Sequence, residues 1–144
     1  ETNKLFKTYN KLIFEEFIDG QEIQVAVLNN KALGAIELKP KRKFYDYKAK
    51  YEKSSKTKHI MPADLTKKKY MQILKISEKA HKALSCRGVT RSDFKFFNDK
   101  FYMLEINTQP GMTNLSLVPE IAKYKKISFI NLVKKITDDA GVNK

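Results

Sequence analysis

Cysteine occurs once, at Cys86, so no internal disulfide can form and no CxxC pair is available for zinc. The residue reads most simply as a small buried core side chain. Only two histidines are present, His59 and His81, without the spacing of metal ligands, and both read as surface residues. With five glycines and four prolines in 144 residues, the composition excludes collagen-like and low-complexity chains. No apolar run reaches the roughly 18 residues that a membrane helix needs, and no charged-then-apolar leader opens the sequence. The expectation is one cytoplasmic domain with a single core and no membrane partner.

Acidic residues are also scarce. Sixteen Asp and Glu stand against 29 Lys and Arg, a net charge of +13 that favours anionic partners such as nucleic acid, anionic lipid or phosphorylated small molecules. From charge alone a solvated lysine surface is the simplest reading. A dense basic cluster runs from Lys39 to Lys69 and includes FYDYKAKY, Phe44 to Tyr51. Basic residues interleaved with aromatics suit either a single-strand nucleic-acid platform or a loop that covers phosphates.

Along the chain, KLIFEEFI (Lys11 to Ile18) reads as a strand closed by the turn pair Asp19-Gly20. Its adjacent acids, Glu15 and Glu16, put one carboxylate toward a core or cleft if the strand is covered, or both in water if it lies at an edge. Glu22 to Leu28 and Ala32 to Leu38 form a hairpin across Asn29-Asn30-Lys31. Lys39 to about Ala63 shows no sustained period, and a loop of that length suggests a lid or binding loop. A helix is expected from about Leu65, with Tyr70, Ile73, Leu74, Ala80, Ala83 and Leu84 on its stripe and Gly88 as its stop. Val89 to Phe97 and Phe101 to Asn107 form a second hairpin around Asn98-Asp99-Lys100. A final helix, capped by Ser128, runs on Phe129, Leu132, Val133 and Ile136 toward Gly141.

The second hairpin carries the chemistry. With a three-residue loop, Asp93 faces Glu105 and Arg91 faces Asn107, so all four project from one side of the sheet. Phe94, Phe96, Tyr102, Leu104 and Ile106 then make a core face. A two-residue loop would set Asp93 against Leu104 and mix the faces. Two opposed carboxylates repel unless a cation lies between them, and two carboxylates with an amide oxygen select Mg2+ or Mn2+ over zinc. Arg91 beside them could hold a phosphate or an oxyanion.

Four stretches, EEFIDGQE (Glu15 to Glu22), FYDYKAKY, GVTRSDF (Gly88 to Phe94) and LEINTQPGMTNLSLVP (Leu104 to Pro119), together resemble the C-terminal part of the bacterial D-alanine-D-alanine ligases of the ATP-grasp superfamily. The resemblance implies an α+β fold, a mainly antiparallel sheet flanked by helices as in the ATP-grasp C-terminal lobe. Residues 1–18 would be the last strand of the central subdomain with the adenine hinge, and residues 19–144 the C-terminal domain with a lid loop at 39–63. It implies ATP- and Mg2+-dependent joining of two D-alanines through an acyl phosphate for peptidoglycan synthesis.

By the same resemblance Glu15 receives the adenine amino group, the backbone of Glu16 and Ile18 forms the hinge, and Glu22 binds the ribose. Phe44 belongs with the nucleotide-binding residues, Lys50 contacts the γ-phosphate, and Tyr51 helps to close the lid. Asp93, Glu105 and Asn107 correspond to ligands of two Mg2+ or Mn2+ ions, with Glu105 bridging. Arg91 and the N–H of Gly111 stabilise the oxyanion, while Ser116 and Leu117 bind the carboxylate of the second D-alanine. In the family an N-terminal domain binds the first D-alanine, and the enzymes are usually dimeric. This chain alone is therefore expected not to turn over. The alternatives are another ATP-grasp ligase, such as a D-alanine-D-lactate ligase, a non-catalytic remnant, and a basic nucleic-acid-binding module. The last leaves the aligned Asp93, Glu105 and Asn107 without a role.

Overall fold

In the computed structural model, residues 2–39 and 57–141 are described. After a single helical turn, α1 (Thr2–Leu5), which the sequence does not signal, the order is β1 (Gln21–Leu28), β2 (Lys31–Lys39), β3 (Lys58–Ile60), α2 (Lys67–Ala83), β4 (Val89–Phe97), β5 (Lys100–Asn107), α3 (Leu117–Tyr124) and α4 (Phe129–Asp139). The strands form one antiparallel sheet in the order β3-β2-β1-β4-β5. No helix of the described residues is long and apolar enough to cross a membrane.

Both hairpins turn on two residues rather than three. Asn29-Asn30 and Asn98-Asp99 have positive φ throughout (46° and 66°, 47° and 62°), the pattern of the tight turn whose twist matches paired strands. Each turn is followed by a bulge, at Leu33 on β2 and at Leu104 on β5. The second bulge matters because it restores, beyond it, the pairing that a three-residue loop would have given. Asp93 pairs with Glu105 and Arg91 with Asn107, whereas nearer the turn Phe94 pairs with Met103 and Phe96 with Phe101. The core face accordingly differs from expectation. Phe101, not Tyr102, packs on Phe94 and Phe96, and Leu104 is 55% exposed.

Alternation divides the central strands between two cores. Ile23, Val25, Ala35 and Phe94 face α2 through Ile73, with Leu65, Tyr70 and Leu74 beside them. Ala26, Leu28, Leu33, Ile36 and Leu38 face the other way, against Leu117, Val118, Ile121 and Ala122 of α3 and Leu132 of α4. The buried residues of α2 are Ile73, Ser77 and His81, so the stripe continues through polar positions while Ala83 and Leu84 are exposed. His81 is fully buried, contrary to its reading as a surface residue, because its Nδ1 meets the Thr90 hydroxyl at 2.8 Å. His59, half-buried, meets Glu120 at 2.7 Å across β3 and α3. Cys86 is only half-buried, outside either core.

The helix α2 ends at Ser85, whose φ is +51°, rather than at Gly88, with Ser85 and Cys86 N–H donating back to Lys82 and His81 carbonyls. Beyond the reach of β3, the open side of β2 is covered by α2: the Tyr70 hydroxyl accepts from Ala35 N–H and Glu78 Oε1 from Ala32 N–H, each at 3.0 Å. Burial pushes the Tyr70 hydroxyl pKa above the ordinary tyrosine value, with the Ala35 hydrogen bond opposing.

The strand expected over Lys11 to Ile18 does not form. Residues 11–19 have no hydrogen-bonded secondary structure, and Ile13, Phe14 and Phe17 are exposed. A strand needs a neighbour for its N–H and C=O groups, and none of the described strands pairs with this segment. β3, in turn, is a strand within the span expected to be a loop.

Candidate functional site

On the α3 side of the sheet, three cross-strand rows run from β2 to β5. They are Leu38, Glu22, Lys95, Tyr102; then Ile36, Gln24, Asp93, Glu105; then Gly34, Ala26, Arg91, Asn107. The β2 end of these rows is apolar and lies under α3, whereas the β4–β5 end is charged. One face of one sheet is therefore apolar core at one end and charged at the other, divided near Gln24.

Asp93 and Arg91, two residues apart on β4, point the same way and form a fork: Nε to Oδ1 at 2.7 Å and Nη2 to Oδ2 at 2.9 Å. Both are buried. Arg91 Nη2 also stands 3.7 Å from Glu105 Oε1, whose side chain is 58% exposed. In the adjacent row Lys95 Nζ meets Glu22 Oε2 at 3.3 Å. Asn107 Oδ1 accepts from Gln109 N–H at 2.9 Å, starting the turn into the buried Pro110.

Past Pro110 the chain doubles back on itself. Ser116 Oγ accepts from Thr113 N–H and meets Thr113 Oγ1, both at 2.9 Å, instead of capping α3. A Cβ on Gly111 would stand 2.9 Å from that oxygen, so any larger residue there would push against the Ser116 hydroxyl. Gly111, Ser116 and the first residue of α3, Leu117, thus form one compact corner.

Two carboxylates and an amide oxygen, without nitrogen or sulfur, suit a hard divalent cation. No group of three or more His, Cys, Asp or Glu placed to hold a metal occurs among the described residues; the oxygens gathered here come from two carboxylates and one amide. Admitting a cation between Asp93 and Glu105 requires Arg91 to release part of its grip.

Residues 1–138 match the protein family described as D-ala D-ala ligase C-terminus. The chain belongs to that family. It is 64% identical over 141 residues to the D-alanine–D-alanine ligase of Pelagibacter ubique, covering 98% of this chain and 46% of that protein. It is 51% identical over 128 residues to that of Rickettsia typhi, covering 87% and 40%. Among solved structures, the Bacillus anthracis D-alanine–D-alanine ligase complexed with ATP superposes with a TM-score of 0.72 at 32% identity, covering 87% of this chain and 41% of that one. The Coxiella burnetii ligase gives 0.77 at 28%, covering 96% and 36%. The chain spans less than half the length of these relatives. Its α+β architecture is that of the C-terminal domain of the ATP-grasp ligases.

Among the residues singled out from sequence, Arg91, Asp93, Glu105 and Asn107 meet on one face, and Gly111, Ser116 and Leu117 share one corner. Glu22 lies a row away from Asp93. Glu15 and Glu16 are both exposed and Ile18 is half-buried, in the segment without a strand partner. Phe44, Lys50 and Tyr51 lie outside the described residues. The sequence reading singles out neither Lys95 nor Gln24, although alternation from Asp93 puts Lys95 on the same face. Gln24 needs the β1–β4 pairing, which no local pattern announces.

Proposed function

We propose that this chain is the C-terminal part of an ATP-dependent D-alanine-D-alanine ligase. Residues 1–18 would supply the adenine hinge and, when paired with the central subdomain, its last strand, and residues 19–144 the C-terminal domain, with the lid in the part of 39–63 that precedes β3. The parent enzyme is, in this reading, a cytoplasmic homodimer using ATP and two Mg2+ or Mn2+ ions. The observation that carries the reading is the convergence of Arg91, Asp93, Glu105 and Asn107 on one sheet face in a chain so close to curated ligases.

Asp93, Glu105 and Asn107 would hold the divalent ions, with the more exposed Glu105 shared between them. The ions, when bound, neutralise charge on the transferring phosphoryl group. Arg91, one row away, brings a positive charge to the same place and stabilises the oxygen of the reacting carboxyl as charge builds there. The Gly111 N–H donates to that oxygen, and the absent Cβ lets the corner close on Ser116. The carboxylate of the first D-alanine takes the γ-phosphoryl group of ATP and releases ADP. Ser116 Oγ and the Leu117 N–H hold the carboxylate of the second D-alanine, whose amine attacks the acyl carbon; the C–O bond to phosphate breaks, the nitrogen gives up a proton, and inorganic phosphate leaves. Glu15, the Glu16 and Ile18 backbone, Glu22 and Phe44 bind the nucleoside. Lys50 and Tyr51 cover the phosphates and exclude water from the acyl phosphate.

The test is product analysis with the full-length protein that carries this chain. ATP and D-alanine are expected to give D-alanyl-D-alanine, ADP and phosphate, while the 144-residue chain gives none. A full-length protein that ligates D-lactate in preference, or nothing, overturns the assignment. Dipeptide from the short chain overturns the need for the remainder.

A further inference from the structure

Gln24 lies in the middle of the row Ile36, Gln24, Asp93, Glu105, between the apolar and the charged halves of the face. It is 1% exposed, and its Oε1 is buried without a hydrogen-bond partner among the described residues. Leaving an amide oxygen unsatisfied is costly, and native cores rarely tolerate it without a reason. The surroundings explain why no side chain answers it. Ile36 on one side is apolar. Asp93 on the other is an acceptor whose two oxygens are taken by Arg91. Lys95, diagonal to Gln24, is engaged with Glu22.

Among the described residues the donor is missing, and the row leads from Gln24 to where Asp93 and Glu105 face each other. A divalent ion of the hard class keeps several of its waters when a few carboxylates bind it, and those waters are strong donors with no use for a further cation. Partners at one remove from a metal commonly fix its hydration and strengthen its binding.

We propose that Gln24 is a positioning residue of the cation site, its buried amide oxygen accepting a hydrogen bond from a hydration water of the ion held by Asp93, Glu105 and Asn107. The inference rests on the cation reading given above. It also makes Gln24 a residue whose cost is borne in the metal-free protein and recovered on loading.

The experiment is a Mn2+ titration of the purified protein, followed by water-proton relaxation, for wild type, Gln24→Leu, Gln24→Glu and Asp93→Asn, with thermal unfolding of each without metal. Gln24→Leu is expected to weaken Mn2+ roughly tenfold while leaving the metal-free unfolding midpoint unchanged or higher, since an unsatisfied polar atom is gone. Gln24→Glu keeps the acceptor and is expected to bind Mn2+ at least as tightly as wild type, with a lower metal-free midpoint from repulsion by Asp93. Wild-type affinity in Gln24→Leu, with binding lost in Asp93→Asn, overturns the role of Gln24 alone. Affinity unchanged in Asp93→Asn overturns the cation site itself. If Gln24→Glu and Gln24→Leu weaken Mn2+ alike, the amide acts as a donor and the proposal fails. A metal-free Gln24→Leu that melts well below wild type marks a structural residue instead.

Discussion

Arg91 holds both oxygens of Asp93 from two positions away on the same strand, through Nε at 2.7 Å and Nη2 at 2.9 Å. In a strand, residues i and i+2 share a face, so this fork needs no turn or second element to form. Its consequence is that Asp93 is already paired without any ion. Under the proposed cation reading the guanidinium would compete with the ion for the carboxylate and keep a positive charge beside the phosphoryl group.

Removing the guanidinium should expose that balance. Arg91→Met leaves Asp93 buried and unpaired, and breaking a buried pair from one side costs about 3–5 kcal/mol. Urea unfolding of the metal-free protein is expected to fall by that order, and millimolar Mg2+ to recover part of it by replacing the lost charge. The double variant Arg91→Met/Asp93→Asn should lie closer to wild type than Arg91→Met does. If magnesium changes nothing in Arg91→Met, the ion does not bind at Asp93.

The two turns give a second prediction. Asn30 and Asp99 sit at φ of 66° and 62°, where a β-branched side chain clashes with the backbone. Asn30→Val should cost about 1–2 kcal/mol, whereas Asn30→Gly should be neutral or slightly stabilising. Equal stability of the two variants in urea would show that the left-handed turn is not needed. Asn30 is the cleaner position of the two, because Asp99 also binds Lys69 at 2.8 Å.

These turns also show what was legible in the sequence. Asn98-Asp99-Lys100 reads as a three-residue loop because only that count puts Asp93 against Glu105. The chain reaches the same pairing with two residues and a bulge, which no periodicity reveals, since a bulge is an irregularity in the ladder and not a pattern. The facing of Asp93 with Glu105 and of Arg91 with Asn107 was therefore readable, while the placing of Leu104 and Tyr102 was not. His81 was misplaced for a different reason. A helix stripe is read from apolar residues, and Ser77 and His81 continue it with the Ser77 hydroxyl donating to the Ile73 carbonyl and His81 Nδ1 bonded to the Thr90 hydroxyl. Gln24 was invisible because its meaning lies in β1 pairing with β4, more than sixty residues along the chain.

The corner at Gly111 offers a coupled test. In Gly111→Ala the new methyl meets Ser116 Oγ at 2.9 Å, and overpacking of this kind costs about 1–3 kcal/mol. Ser116→Ala removes the obstructing oxygen along with its bond to Thr113 N–H. The double variant should then be more stable than the sum of the two singles predicts, by about 0.5 kcal/mol or more. Strict additivity in a double-mutant cycle would mean that the loop, rather than Ser116, moves to admit the methyl.

His81 carries the pH dependence. Its burial pushes the pKa below the ordinary histidine value, with the hydrogen bond involving the Cys86 backbone opposing. One ring nitrogen meets Thr90, and the other is buried without a hydrogen-bond partner among the described residues. The unfolded chain takes up its proton near pH 6.5, while the folded chain resists until lower pH. Stability from this residue is therefore full above about pH 6.5 and is lost as pH falls toward the folded pKa, because the unfolded state binds more protons in that window. One proton limits the slope to about 1.4 kcal/mol per pH unit. Urea unfolding of wild type and His81→Gln between pH 7.5 and 5 should show curves that converge as pH falls, since glutamine does not titrate. Parallel curves would mean that His81 does not hold its neutral form in the fold, and diverging ones that the site prefers the imidazolium.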